Sequence, residues 1–216
     1  QQRVALARAL ARRAGILLLD EPVVNLDYKL REQLRDEFRS LFADQRGTIV
    51  VYTTTEPAEA MMLGNDVLVL HEGRLLQVGR PAEVFDRPAS TTVAAIVNDP
   101  PMNLVDGAVE DGSLRFAGGL RLPMPAHLRA LGPGDYRLGV RANELRITPG
   151  SGIEGDLALA EVSGSETILH VETGLGPLVL QVEGVHTLPL GTRVPVGVDP
   201  RRLFAFAPSG GLVAAP

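Results

Sequence analysis

Apolar and polar positions follow two different rhythms along this chain, and the change near residue 100 divides it. Val4 to Ala11 is built from strong helix formers, with arginines at 3, 8, 12 and 13 left for a wetter side, and Gly15 stops it. Ile16-Leu17-Leu18-Leu19 has no polar alternation, which predicts a strand buried on both faces of a parallel sheet. From Asp27 to Phe42 the apolar residues recur at 30, 34, 38, 41 and 42, the spacing of one helical face with charges opposite. Thr48 to Thr53 is rich in β-branched residues and reads as the next strand. Helix, strand, helix and strand in this order predict an α/β layer with a partly parallel sheet.

Pro57 to Leu63 reads as a helix, and Asp66 to Leu70 pairs with Arg74 to Val78 through a Glu72-Gly73 turn. Pro81 opens a short helix, and an apolar segment from Thr92 to Val97 ends at Asn98-Asp99-Pro100-Pro101. That double proline sets the expected boundary, with one domain over 1–102 and another over 103–216. From Asn103 onward, short alternating runs such as Tyr136 to Arg141, Ile168 to Val171 and Leu178 to Val182 lie between glycines and prolines. Such a texture predicts an all-β barrel or sandwich.

Composition narrows the functional classes. The 216 residues are 45% hydrophobic and 22% charged, which suits one large or two small folded domains. No apolar stretch approaches the roughly 20 residues of a membrane-spanning helix. Cysteine is absent, so disulfides and thiolate metal sites are excluded. The net charge is −5; the segment 103–216 has 9 arginines, 12 acidic residues and four aromatics that form no stacking platform, which argues against nucleic acid as a partner. His71, His127, His170 and His186 are scattered without ligand spacing, so no metal site is expected from them.

Candidate chemistry concentrates at Ile16-Leu17-Leu18-Leu19-Asp20-Glu21-Pro22. Two carboxylates stand where a strand emerges at its C-terminal end, the edge at which open α/β sheets bind ligands. Mg²⁺ is held by one or two carboxylates, waters and substrate phosphates, and a second carboxylate can orient or deprotonate a water. Asp20 suits the first task and Glu21 the second. The heptapeptide alone reads equally well as a strand ending in an exposed acidic turn.

Neighbouring segments carry a resemblance that separates the two readings. Gln1 to Leu10 resembles the helix after the signature motif of ABC ATPases, and Asn25-Leu26-Asp27 resembles their D-loop at the expected distance beyond Walker B. Pro57-Ala58-Glu59-Ala60-Met61 and Glu72 to Gly79 are similar to the stretch after the switch-histidine loop in importers of the maltose and glycerol-phosphate type. Pro101-Met102-Asn103 resembles their exit from the nucleotide domain. Gly139-Val140-Arg141, Gly164-Ser165-Glu166-Thr167 with His170-Val171, and Asp199 to Leu203 are similar to their C-terminal TOBE region, which has OB-like barrels.

The resemblance implies an ATP-hydrolysing motor subunit using ATP and Mg²⁺, with Asp20 toward the metal through water and Glu21 toward the attacking water. Asn25 and Asp27 would face the nucleotide and dimer interface. Two such subunits, identical or paired, would close over ATP and drive membrane permease subunits, meeting a solute-binding protein indirectly. The implied location is cytoplasmic, peripheral on the inner face of the cell membrane. The family's switch histidine falls on Thr55, whose hydroxyl can donate a hydrogen bond but cannot carry the charge of imidazole. Thr54-Thr55-Glu56-Pro57 is similar to a stretch in some glycerol or polyol importer ATPases, which implies a sugar, polyol or glycerol derivative as solute.

Gly-x-x-x-x-Gly-Lys-Ser/Thr occurs nowhere in the 216 residues. The chain starts without Met and already inside a helical pattern, so it is expected to be a piece of a longer protein and inactive alone. The competing reading is a non-catalytic regulator in which a degenerate switch site and the β-domain serve binding.

Overall fold

A computed structural model describes residues 4, 8, 11, 14–24, 34, 35, 37–42, 47–150 and 152–216. These fall into two compact units, one of Gln1–Leu68 with Val78–Ala82 and the other of Val69–Gln77 with Glu83–Pro216. The expected D-loop residues Asn25 and Asp27, and most of the helix expected over 4–11, lie outside the described residues.

In the first unit β1 (Ile16–Asp20) and β2 (Ile49–Thr53) pair in parallel, in register from Ile16 opposite Ile49 to Asp20 opposite Thr53. The described residues between 34 and 42 are helical, and α1 (Pro57–Leu63) carries proline in its first turn, where a missing N–H costs nothing. Val23, Leu34 and Phe38 form the core, with Phe42, Tyr52 and Leu63 against them. Phe38 stacks on Phe42 at 5.2 Å and meets Tyr52 edge-on at 6.0 Å. The helix therefore buries the 34/38/42 stripe that its periodicity predicts.

β1 departs from the expectation of two-sided burial. Leu17 and Leu19 are buried, whereas Ile16, Leu18, Ile49 and Val51 are 46% to 72% exposed. Alternate side chains leave opposite faces of a strand, and the described residues cover only one face of this two-stranded sheet.

β3 (Val67–His71) and β4 (Arg74–Gly79) form the expected hairpin. Glu72 and Gly73 have φ of 47° and 72°, the pair of positive values that a tight twisted hairpin turn requires.

The second unit is dominated by antiparallel strands. β5 (Asn103–Glu110), β6 (Ser113–Phe116), β7 (Arg121–Pro123), β8 (Gly134–Val140), β14 (Phe204–Phe206) and β15 (Leu212–Ala214) form one sheet, ordered β15-β14-β8-β5-β6-β7. β9 (Leu145–Ile147), β10 (Ile153–Val162), β11 (Glu166–Thr173), β12 (Gly176–Glu183) and β13 (Arg193–Val198) form the other, ordered β12-β11-β10-β13-β9. Its two edge strands, β9 and β12, approach each other, which curls this sheet into a partly open five-stranded barrel of the OB-like kind. Leu114, Leu128, Leu169, Val171, Leu180 and Val196 are fully or almost fully enclosed between the sheets. The buried side-chain amide of Asn103 closes the assembly: its Nδ2 donates to the Val179 carbonyl at 2.8 Å and its Oδ1 accepts from the Val179 N–H at 2.7 Å. One side chain thus satisfies the edge of β12 as a neighbouring strand would.

Two short helices precede these strands, α2 (Pro81–Asp86) and α3 (Thr91–Ile96), and Ser90 caps the latter by accepting from Val93 N–H at 3.3 Å. Ala94 of α3 packs with Met102, Phe204 and Phe206 in a satellite core. The Arg141 guanidinium lies 3.9 Å from the Phe85 ring centroid and 4.8 Å from that of Phe204, and it donates to the Phe85 carbonyl at 2.6 Å and to Asn98 Oδ1 at 3.2 Å. Burial pulls this guanidinium below the usual arginine range, opposed by Asp86 and Glu144. Residues 83–101 consequently pack with the β-strands, ahead of the expected boundary at 102/103.

Candidate active site

The parallel register puts the last residues of β1 and β2 side by side. Asp20 stands opposite Thr53, whose hydroxyl donates to Asp20 Oδ1 at 2.6 Å. The Glu21 N–H points back to the same residue, 3.2 Å from both the Thr53 carbonyl and its hydroxyl oxygen. Glu21 has φ of 41°, a left-handed conformation that costs a non-glycine residue about 1 kcal/mol. The bonds to Thr53, together with Val24 N–H donating to the Glu21 carbonyl at 3.3 Å, hold it there. A strained turn is therefore built where the second carboxylate is displayed. Asp20 is exposed and Glu21 half-buried.

Thr54 turns the other way. Its hydroxyl donates to Glu59 Oε2 at 2.7 Å and accepts from the Glu56 N–H at 2.9 Å. Glu59, on α1, is only 2% exposed. Its Oε2 also accepts from the Tyr52 hydroxyl at 3.1 Å, and its Oε1 lies 3.3 Å from both Nε and Nη2 of Arg35. A buried carboxylate is tolerable only when paired and hydrogen-bonded, and this one is both. Thr55, between the anchored Thr54 and Glu56, is exposed.

Asp20, Glu21 and Thr53 thus meet at one strand edge, with Thr54 turned toward Glu59 and Thr55 exposed. The hydroxyls of Thr53 and Thr54 were not singled out from sequence, because three threonines in a row read as a strand end. Glu59 carried a usable signal, an acid among Ala58, Ala60 and Met61 on a short helix, but periodicity does not say whether such an acid faces in or out. The donor set suits Mg²⁺: Asp20 is an exposed carboxylate with one oxygen oriented by Thr53, and a hard cation needs only one or two such ligands beside water and phosphate. Among the described residues no group of three His, Asp or Glu side chains forms a complete protein cage for a metal.

Residues 138–206 match the TOBE domain family. The chain is 37% identical over 215 residues to the sn-glycerol-3-phosphate import ATP-binding protein UgpC of Paracoccus denitrificans, covering 98% of this chain and 60% of that protein. It is 35% identical over 214 residues to the sulfoquinovosyl glycerol transport ATP-binding protein SmoE of Agrobacterium fabrum, covering 95% of this chain and 59% of that protein. The chain therefore spans about 60% of the length of these curated relatives. Among solved structures it is similar to the cytoplasmic molybdate-binding protein ModG, with 14% identity and a TM-score of 0.40 over 49% of this chain and 96% of that one.

Proposed function

We propose that this chain, similar along nearly its whole length to two import ATP-binding proteins, carries part of the hydrolytic site of an ATP-binding subunit of an ABC importer. The observation that supports this reading best is the pairing of Asp20 with Thr53, which sets two carboxylates at the open end of a parallel strand pair. Glu21 accepts a proton from water as its oxygen attacks the γ-phosphorus of ATP, and ADP and phosphate leave. Asp20 would hold Mg²⁺ through a water, and the bound ion would supply positive charge against the phosphates. Asn25 and Asp27, outside the described residues, would serve the nucleotide and the contact with a second ATPase subunit. The strand pair β1 and β2 acts in nucleotide chemistry, and the β-stranded unit that contains the TOBE match at 138–206 serves regulation.

The wider assembly is a pair of such subunits on the inner face of the cell membrane, coupled to permease subunits that move a small solute. The names of the relatives support a glycerol derivative or sugar as that solute. The 216 residues contain no Walker A sequence, and on their own they do not turn over ATP.

Thr55 supplies the test of the site. Its hydroxyl offers one hydrogen bond to the γ-phosphate region or the attacking water, so Thr55→Val, which keeps the branched shape, lowers turnover of the full-length subunit by roughly ten- to a hundredfold. Steady-state phosphate release at saturating Mg-ATP measures it. A Thr55→Val rate equal to wild type would reduce Thr55 to a strand-end residue and remove the switch role from this position.

A further inference from the structure

Among the described residues near the site, Glu59 is the side chain that is both deeply buried and multiply bonded, and no step of the proposed hydrolysis uses it. We propose that Glu59 is a positioning residue that sets the switch segment through Thr54; this rests on the reading of Thr55 as the switch position.

The geometry is specific. The Thr54 hydroxyl joins two partners at once, donating to Glu59 Oε2 at 2.7 Å and accepting from the Glu56 N–H at 2.9 Å. Thr55 lies between Thr54, bonded directly to that carboxylate, and Glu56, linked to it through the Thr54 hydroxyl and held as well at its own carbonyl, which accepts from the N–H groups of Glu59 at 3.1 Å and Ala60 at 3.4 Å. That carboxylate cannot drift. Tyr52 on β2 holds Oε2 at 3.1 Å, and Arg35 holds Oε1 at 3.3 Å through two nitrogens. Glu59 thus joins three elements: the strand that ends at the site, the helix containing residues 34–42, and α1. Loss of a charged, fully bonded acceptor would free the Thr54 hydroxyl and remove the side-chain tether of residues 54–56, leaving the backbone bonds of the Glu56 carbonyl to α1. The arrangement also divides labour within the threonine run. Thr53 orients Asp20, Thr54 ties the segment inward, and Thr55 is left exposed.

Removing Glu59 itself strands Arg35 and can unfold the unit, so the decisive variants lie at Thr54. Thr54→Ser keeps the hydroxyl and drops the methyl; Thr54→Val keeps the branched shape and drops the hydroxyl. In the full-length subunit, Thr54→Ser is expected within about twofold of wild-type kcat, and Thr54→Val lower by roughly tenfold, with KM for Mg-ATP within about twofold in both. Glu59→Gln combined with Thr54→Val is expected to lower kcat no further than the worse single variant, because both act on one linkage. A packing role alone gives the opposite order, with Val tolerated better than Ser, and that result overturns the proposal. Wild-type turnover with an unaffected Thr54→Val overturns it alone, whereas a wild-type subunit that fails to hydrolyse Mg-ATP overturns the reading of the site beneath it as well.

Discussion

Glu21→Gln in the full-length subunit is expected to lower steady-state Mg-ATP turnover by roughly two or more orders of magnitude while leaving nucleotide binding in place. The amide has nearly the carboxylate's shape but cannot take a proton from water, and loss of a general base costs about that much. Shape matters here because Glu21 sits at φ of 41°, pinned by its own N–H to Thr53 and by its carbonyl to Val24. Those contacts are made by the backbone, so they survive the substitution and the turn keeps its geometry. The melting temperature should therefore stay with wild type while the rate falls. Phosphate release and equilibrium binding of a labelled nucleotide separate the two effects. A variant that turns over ATP at the wild-type rate would end the assignment of Glu21 as the water-activating group.

The second large effect concerns stability of the β-domain. Gly155 on β10 lies against β11 so closely that an added Cβ would meet the Glu172 carbonyl oxygen and come within 2.6 Å of Val171 Cγ1 and 2.7 Å of Thr173 Cγ2. Backbone on one side and a fully buried valine on the other leave little room to yield. Glycine here lets β10 bend tightly against its neighbour as the sheet curls toward closure. Gly155→Val is expected to destabilise the unit by about 3 kcal/mol, which lowers Tm by roughly 10 °C for a unit of this size. Gly174→Ala serves as the control, since a Cβ there meets nothing within 4 Å. Thermal melts of the 216-residue chain followed by circular dichroism measure both. Equal melting of Gly155→Val and wild type would mean that β10 and β11 do not approach as described.

Much of the architecture could be read from local pattern. The β-branched stretch at 48–53, the 34/38/42 stripe and the Glu72-Gly73 turn each depend on residues close in sequence, and each forms the expected element. The short runs after Asn103 announced strands for the same reason. Their pairing was not legible, because β10 joins β13 and β8 joins β14 across long intervening segments that no local signal links. Residues 83–101 were similarly opaque: what ties them to the strands is Arg141 between Phe85 and Phe204, a contact across more than fifty residues of chain.

The site shows the same division. Asp20 and Glu21 stood out because two acids directly follow four apolar residues, a break in pattern visible without any partner. Thr53, Thr54 and Glu59 gain their roles only from residues that folding brings to them, Asp20 for the first and Arg35 with Tyr52 for the last. Their types are ordinary at a strand end and on a short helix. A buried acid is marked by its environment, and environment is what a single sequence withholds.

Phosphate release from Mg-ATP, compared between the purified full-length subunit and the 216-residue chain alone, tests the central claim most directly. Steady turnover is expected from the full-length subunit and none above background from the chain, because the roles proposed for Asp20 and Glu21 require cradled phosphates and no Gly-x-x-x-x-Gly-Lys-Ser/Thr occurs in the 216 residues. A full-length subunit that binds Mg-ATP but releases no phosphate, alone or with its permease, would contradict the account and leave Asp20 and Glu21 as a strand's acidic end.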